Sequence, residues 1–86
     1  MLTTPSQLTA YVDALKVLIR DGKIERAEDI IEMVLNREPA LKGKTDVLDV
    51  LRDRIEPIAN GENQGHANTI LDYIAKMHRA YQWPRR

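Results

Sequence analysis

The fold is decided by a short stretch of sequence, residues 18–31, which reads LIRDGKIERAEDII. Apolar residues at helical spacing stop at Ile19 and resume at Ile24, and the polar break between them contains Gly22. Glycine accepts the left-handed backbone that closes many helix C-termini. Because only about three residues separate the two helical patterns, the second helix must fold back against the first. The stretch therefore predicts two antiparallel helices joined at Gly22.

Upstream of this break, the pattern predicts a first helix over residues 5–21. Thr4-Pro5-Ser6-Gln7 matches a capping box, in which Thr4 is the N-cap residue and Gln7 reaches back to it. Proline suits the first helical position, because no intrahelical partner exists there for an amide hydrogen. At 100° per residue, one apolar face follows, formed by Leu8, Tyr11, Val12, Leu15, Leu18 and Ile19.

Downstream of the break, proline and threonine delimit two further helices. The pattern predicts a second helix over residues 24–37, which Pro39 closes, because the residue before a proline disfavours helix. A loop is expected over residues 39–44, followed by a third helix over residues 45–58 with Thr45 as its N-cap.

The last helix follows the stretch richest in helix breakers. Pro57 should end or kink the third helix, because it lacks an amide hydrogen and clashes with the preceding turn. Residues 60–65, NGENQG, predict a loop, and a fourth helix is expected over residues 66–81. Leu41, in the earlier loop, is expected to pack under the core. The pattern predicts an all-α fold, a four-helix bundle made of two antiparallel helical hairpins.

Length and composition favour one small domain spanning residues 1–86. A chain of 86 residues with 43% hydrophobic and 30% charged residues can fold, but it buries only about 60% of its unfolded surface. There is no cysteine, which excludes disulfides, thiol chemistry and the usual zinc-finger spacings. Acidic and basic residues balance at 13 each, whereas a dedicated nucleic-acid-binding domain is usually strongly basic.

The sequence predicts a cytoplasmic protein with no membrane partner. The polar residues after Met1 do not resemble a secretory signal. No run approaches the roughly 18 apolar residues that a membrane-spanning helix requires.

The residues do not form a recognisable catalytic pattern, and we expect no enzyme, cofactor, metal or small-molecule substrate. Ser6 has a local role in the first helical turn and no histidine near it in sequence. His66 and His78 stand too far apart to share a helix face as an i, i+4 metal pair does. His78 falls among the apolar residues of the fourth helix, which predicts a half-buried ring hydrogen-bonded to backbone. An interface position is the alternative.

Charge is distributed unevenly along the chain. The second helix carries an acidic face formed by Glu25, Glu28, Asp29 and Glu32, and Glu38 extends it. Arginines lie among these acids, so a solvated face is the ordinary interpretation, and a basic partner is the alternative.

The C-terminal segment is basic and aromatic, which is typical of protein hot spots and of surfaces that stack nucleic-acid bases. The alternative is structural, since positive charge near a helix C-terminus complements the helix dipole and Trp83 could fold back on the core. The candidate partner-binding residues are Tyr73, Lys76, His78, Arg79, Tyr81, Trp83, Arg85 and Arg86.

The first hairpin also carries spacings found in a known repeat. Its turn glycine, large residues, small residue and closing Leu and Pro correspond to Gly22, Ile24, Ala27, Ile31, Leu35 and Pro39. Tyr11 stands at the repeat's early Trp position, and Leu18 stands at its mid-helix Tyr position. Over about residues 8–40 the chain resembles a single tetratricopeptide (TPR) repeat, although Leu15 stands where the family has a small residue. The resemblance implies a protein-binding adaptor or chaperone.

The apolar residues outnumber those that four short helices can easily bury. Val17, Met33, Val50 and Tyr73 widen the apolar faces, and exposed apolar surface on a small protein marks an interface. The sequence therefore favours a non-enzymatic protein–protein interaction module of the kind found among bacterial and phage accessory proteins. It would act as an adaptor, chaperone or inhibitor, or as a homo-oligomer. The alternative is a small nucleic-acid-binding regulator that uses the C-terminal helix and tail.

Overall fold

A computed structural model describes residues 3–61 and 63–82 of the chain. The fold is all-α, and its helices in chain order are α1 (Pro5–Arg20), α2 (Ile24–Asn36), α3 (Leu41–Ile55), a short 3-10 helix (Glu56–Asn60) and α4 (Gln64–Gln82). The predicted all-α class with four helices is confirmed.

α1 begins at the predicted capping box. The Oγ1 of Thr4 accepts a hydrogen bond from the backbone N–H of Gln7 at 3.2 Å. The Thr4 N–H in turn donates to the Gln7 Oε1, also at 3.2 Å. Two backbone donors that the first helical turn would leave without a partner are thereby satisfied.

α1 ends in the turn that contains Gly22, whose φ of 74° lies in the left-handed region. The N–H of Gly22 donates to the Ile19 carbonyl oxygen at 3.1 Å, and the N–H of Lys23 donates to that of Leu18 at 2.9 Å. This pair of bonds is a common way to close a helix at a left-handed glycine. The predicted break is confirmed, although α1 ends one residue earlier than expected, and α2 does the same at its own C-terminus.

The start of α3 differs from the prediction. The prediction of a loop over residues 39–44 is wrong, because α3 already begins at Leu41, after Ala40 in extended backbone. Thr45, expected to be the N-cap, lies inside the helix and donates its hydroxyl to the Lys42 carbonyl oxygen at 2.8 Å. Leu41 was expected to pack under the core, but it is 46% exposed.

Contacts with the buried Glu38 accompany this early start. The Lys44 Nζ donates to the Glu38 carbonyl oxygen, and a Cβ added at Gly43 would lie 3.0 Å from the Glu38 Oε2. Gly43 therefore lets the Glu38 carboxylate approach the backbone of α3 closely, whereas the sequence pattern assigned this glycine to a loop.

Pro57 marks the end of α3, as predicted, although the α-helix stops before the expected residue 58. The last α-helical residue is Ile55, and the chain continues as a 3-10 helix with Pro57 in its first turn. α4 begins at Gln64, so the loop expected over residues 60–65 is shorter than predicted. The N–H of Ala67 donates to the Asn63 carbonyl oxygen at 2.9 Å, which extends the helical pattern backwards into this stretch.

Among the described residues, the buried core is built from Leu, Ile, Val and Ala side chains of all four α-helices. They form one cluster: Leu8, Val12, Leu15, Ile19, Ala27, Ile31, Val34, Leu35, Val47, Leu48, Leu51, Ile55, Ala67, Ile70 and Ile74. Tyr11 and Leu18, which the helical pattern also placed on the apolar face of the first helix, are partly buried at the edge of the cluster, as is Tyr81.

Within residues 3–61 and 63–82, no helix combines the length and the apolar character needed to cross a lipid bilayer.

Candidate interaction surfaces

The candidate partner-binding residues on α4 do not share one face of the helix. Lys76 and Arg79 are exposed, whereas Tyr73, His78 and Tyr81 are partly buried. At 100° per residue, Lys76 and Arg79 point away from the core, with Tyr73 and His78 on opposite flanks. Their role in binding stays a prediction. Trp83, Arg85 and Arg86 lie outside the described residues.

Tyr81 lies against the start of α3. The Lys44 Nζ is 5.6 Å from the centre of the Tyr81 ring, which is within the range of a cation–π contact. A shallow groove beside this contact is lined by Leu41, Lys42, Thr45, Tyr81 and Gln82. The aromatic ring therefore helps to hold the end of α4 to the beginning of α3.

His78 forms a pair with an aspartate of α3. Its Nε2 lies 3.1 Å from the Asp49 Oδ1, and the two side chains are 23% and 45% exposed. The ring was expected to bond to backbone, but its partner is this carboxylate. The contact joins α3 to α4, and neither residue lines the groove beside Tyr81.

His66, near the start of α4, packs against the turn that contains Gly22. Its Nδ1 lies 3.1 Å from the Ile19 carbonyl oxygen, which can only accept, so Nδ1 carries the hydrogen. The ring packs so close to Gly22 that a Cβ there would lie 3.0 Å from the His66 Cε1. No local pattern predicts this contact, because the bonded residues are 47 positions apart.

The acidic face of α2 borders α4. Glu25, Asp29 and Glu32 are exposed and Glu28 is partly buried, so the four side chains remain accessible to water. Burial raises the pKa of Tyr73 above its usual value, and the negative charges of Glu32 and Glu28 add to this rise. A phenolate is disfavoured beside carboxylates. Tyr73 therefore lies in the field of the acidic face and apart from the exposed Lys76 and Arg79.

Glu38 is not part of the solvated acidic face, contrary to the sequence-based expectation. It is 1% exposed, and its Oε1 accepts a hydrogen bond from the Thr3 N–H at 2.9 Å. The carboxylate thus connects the segment before α1 to the junction between α2 and α3. A residue before a proline in a charged stretch predicts a loop, and nothing in the local pattern indicated its burial.

The largest exposed apolar side chains of the first two helices lie together in one groove. Val17 of α1 is 47% exposed and Met33 of α2 is 49% exposed. We call this surface the α1–α2 face; it is lined by Ala14, Val17, Leu18, Ile30 and Met33, with Arg26 and Asp29 at its edge. One turn before Ala14, Ala10 continues the uncharged row along α1 and is exposed. Two helices therefore present a continuous apolar strip with a charged border.

In the described part of the chain, no group of three or more His, Asp or Glu residues is arranged to hold a metal ion. Comparison with protein-family models, curated proteins and solved structures finds no match to this chain.

Proposed function

We propose that this chain is a non-enzymatic protein–protein interaction module that binds its partner through the α1–α2 face. The observation that carries the proposal is the half exposure of Val17 and Met33 within one groove. Small proteins seldom leave adjacent large apolar side chains in water unless another molecule covers them. The charged border formed by Arg26 and Asp29 matches the usual interface pattern of an apolar centre with a polar rim.

The architecture that we propose for the module is a four-helix bundle made of two antiparallel hairpins, α1–α2 and α3–α4. In favour of the first hairpin, the Arg37 Nη1 after α2 donates to the Tyr11 hydroxyl of α1 at 2.8 Å. In favour of the second, Lys44 near the start of α3 contacts Tyr81 near the end of α4. Each contact joins a residue in the first half of one helix to a residue at the end of the next helix, as antiparallel packing requires.

We propose that the chain acts in the cytoplasm as an adaptor, chaperone or inhibitor of a larger protein, or as a homo-oligomer. Two of the TPR-like positions support this proposal, because Ala27 is fully buried and the backbone of Gly22 is left-handed. A close helical hairpin requires both. Kinship with TPR proteins stays a prediction.

Nucleic-acid binding through α4 is the second candidate, and the observation in its favour is the exposure of both Lys76 and Arg79. Asp72 lies exposed on the same helix, which weakens this case. Duplex DNA binding measured by fluorescence anisotropy should then weaken steeply from low to moderate salt, and Lys76→Ala with Arg79→Ala should flatten that dependence. Absence of binding at low salt would remove this candidate.

The proposed function is tested by site-specific photo-cross-linking in the cells in which the protein naturally occurs. A photoreactive amino acid is placed in the full chain at position 17 or 33, or at the control position 41. Leu41 is the matched control, because it is 46% exposed but lies outside the α1–α2 face. We expect a discrete adduct from positions 17 and 33 and none of the same mass from position 41.

The mass of the adduct identifies the kind of partner. An adduct with a second copy indicates self-association, and any other discrete mass indicates a different protein. Equal labelling from position 41, or no adduct from positions 17 and 33, would refute the proposed docking surface.

A further inference from the structure

We infer that the α1–α2 face binds a second copy of this chain around a two-fold axis that passes beside Met33. The inference rests on the proposed function and names its partner. It follows from the order of charges along α2, from the small residues of α1 and from the size of the surface.

The outer surface of α2 carries a row of opposite charges centred on an apolar side chain. Asp29, Met33 and Arg37 stand four residues apart, so they form one row along the helix and its C-cap, with about 6 Å between neighbours. All three are exposed. In the described part of the chain, neither Asp29 nor Arg37 takes part in an ion pair.

This row is complementary to its own copy. A two-fold axis that passes beside Met33, perpendicular to α2, makes the α2 helix of the second copy run in the opposite direction. Asp29 of each copy then faces Arg37 of the other, while the two Met33 side chains meet at the axis. Such pairing sets orientation and register, and an isologous contact of this kind closes on itself.

α1 can accept a second copy in the same arrangement. The hydrogen bond from Arg37 to the Tyr11 hydroxyl fixes the level of α1 relative to α2. It places the middle of the row Ala10–Ala14 near the level of Met33, so that Ala10 of one copy faces Ala14 of the other. Small side chains allow two helices to approach closely, and no charged residue lies in this row between them.

The size of the surface predicts a weak dimer. α1 has 16 residues and is therefore about 24 Å long, and two adjacent helices are about 20 Å wide. The resulting footprint of about 480 Å² is smaller than the roughly 800 Å² per partner of a stable complex. A dissociation constant on the order of 100 µM, with fast exchange, is expected for a surface this small.

The test is light scattering on the purified full chain from about 10 µM to about 1 mM, a range that brackets a dissociation constant of about 100 µM. We expect the average mass to rise from that of one chain toward that of two. Met33→Glu should abolish the rise, whereas Leu41→Glu, at an equally exposed position, should leave it unchanged. A mass that stays monomeric throughout refutes the inference but not the proposed function, which would then require a foreign cross-linked partner.

Charge reversal tests the register of the two copies. Asp29→Arg alone and Arg37→Asp alone each bring like charges together, and each should weaken association at least tenfold. The double variant restores opposite charges and should recover most of the affinity. Tyr11→Phe is the control for Arg37→Asp, because it removes the same hydrogen bond without changing charge. Circular dichroism of each variant should show unchanged helical content.

Two outcomes would refute the proposed geometry even if a dimer forms. One is that the double variant remains as weak as the single variants. The other is that Arg26→Asp weakens association while Asp29→Arg does not, because the proposed axis pairs Asp29 with Arg37 and leaves Arg26 outside that row.

Discussion

At the scale of single residues, Gly22 and His66 depend on each other. The left-handed backbone of Gly22 ends α1, and the absence of a side chain leaves room for the His66 ring. That ring in turn donates to the Ile19 carbonyl oxygen, which also accepts from the Gly22 N–H. The turn between α1 and α2 is thus held by a residue from the start of α4.

Gly22→Ala should lower the free energy of unfolding by about 1–2 kcal/mol, because alanine is strained at positive φ. Its Cβ would also crowd the His66 ring at 3.0 Å. Gly65→Ala is the matched control. Nothing lies within 4 Å of a Cβ at that helical position, and the change should raise the free energy of unfolding by up to about 1 kcal/mol. Urea unfolding followed by circular dichroism measures both.

Removing the His66 ring separates the two causes of the loss. In a His66→Ala background, the penalty of Gly22→Ala should shrink by the part that comes from crowding, and the backbone strain should remain. A Gly22→Ala variant as stable as the parent chain would contradict the left-handed turn. The sequence predicted the turn from Gly22 alone, but it could not predict the ring contact, which depends on how α1 and α4 pack.

At the scale of elements, α3 shows where local sequence signals mislead. Gly43 and Thr45 are typical of loops and N-caps, and they placed the helix start too late. The helix begins at Leu41, and both Lys44 and Gly43 contact Glu38, which lies buried beside them. The Glu38 carboxylate is bonded to Thr3, 35 positions away, and such a tertiary contact is not contained in local propensity, whereas α1, whose capping box is local, was predicted almost to the residue.

α3 also begins without a side-chain cap, which gives a stabilising prediction. Its N-cap residue Ala40 has φ −113° and ψ 149°, the extended backbone that capping residues adopt, but it offers no acceptor. Ala40→Ser should raise the free energy of unfolding by about 0.5–2 kcal/mol, because the hydroxyl can accept from an amide of the first turn.

Ala80→Ser is the control for this change. Ala80 is exposed near the end of α4, where serine only lowers helix propensity, and stability should fall by a few tenths of a kcal/mol. The urea midpoints of the two variants should therefore move in opposite directions. A midpoint that falls in Ala40→Ser would show that this position does not cap the helix.

At the scale of the whole molecule, stability rests on one small aliphatic core. A chain of this length is expected to be only marginally stable, so the loss of a single core side chain is a large fraction of the total. Leu51→Ala should lower the free energy of unfolding by about 2–5 kcal/mol, because Leu51 is fully buried.

Val17→Ala is the counterpart of that change on the surface. Val17 is 47% exposed, and its truncation should change stability by no more than about 0.5 kcal/mol in dilute solution. A loss comparable to that of Leu51→Ala would assign Val17 to the core and would remove the main support for the α1–α2 face. The helical pattern predicted the core-facing residues of α1, but it could not rank the exposure of Val17, Met33 and Leu41, which depends on the crossing of helices.

The purely aliphatic interior also determines which spectroscopic signals can report on it. The ultraviolet chromophores of the described residues, Tyr11, Tyr73 and Tyr81, all sit at the margin of the core cluster. Tyrosine emission and the tyrosine bands of the near-ultraviolet circular dichroism spectrum therefore observe the rim of the core cluster, and a cluster that loosened while its rim stayed in place would escape both. Isotope-labelled methyl groups of Ile, Leu and Val, observed by nuclear magnetic resonance, are the probes placed to see such loosening.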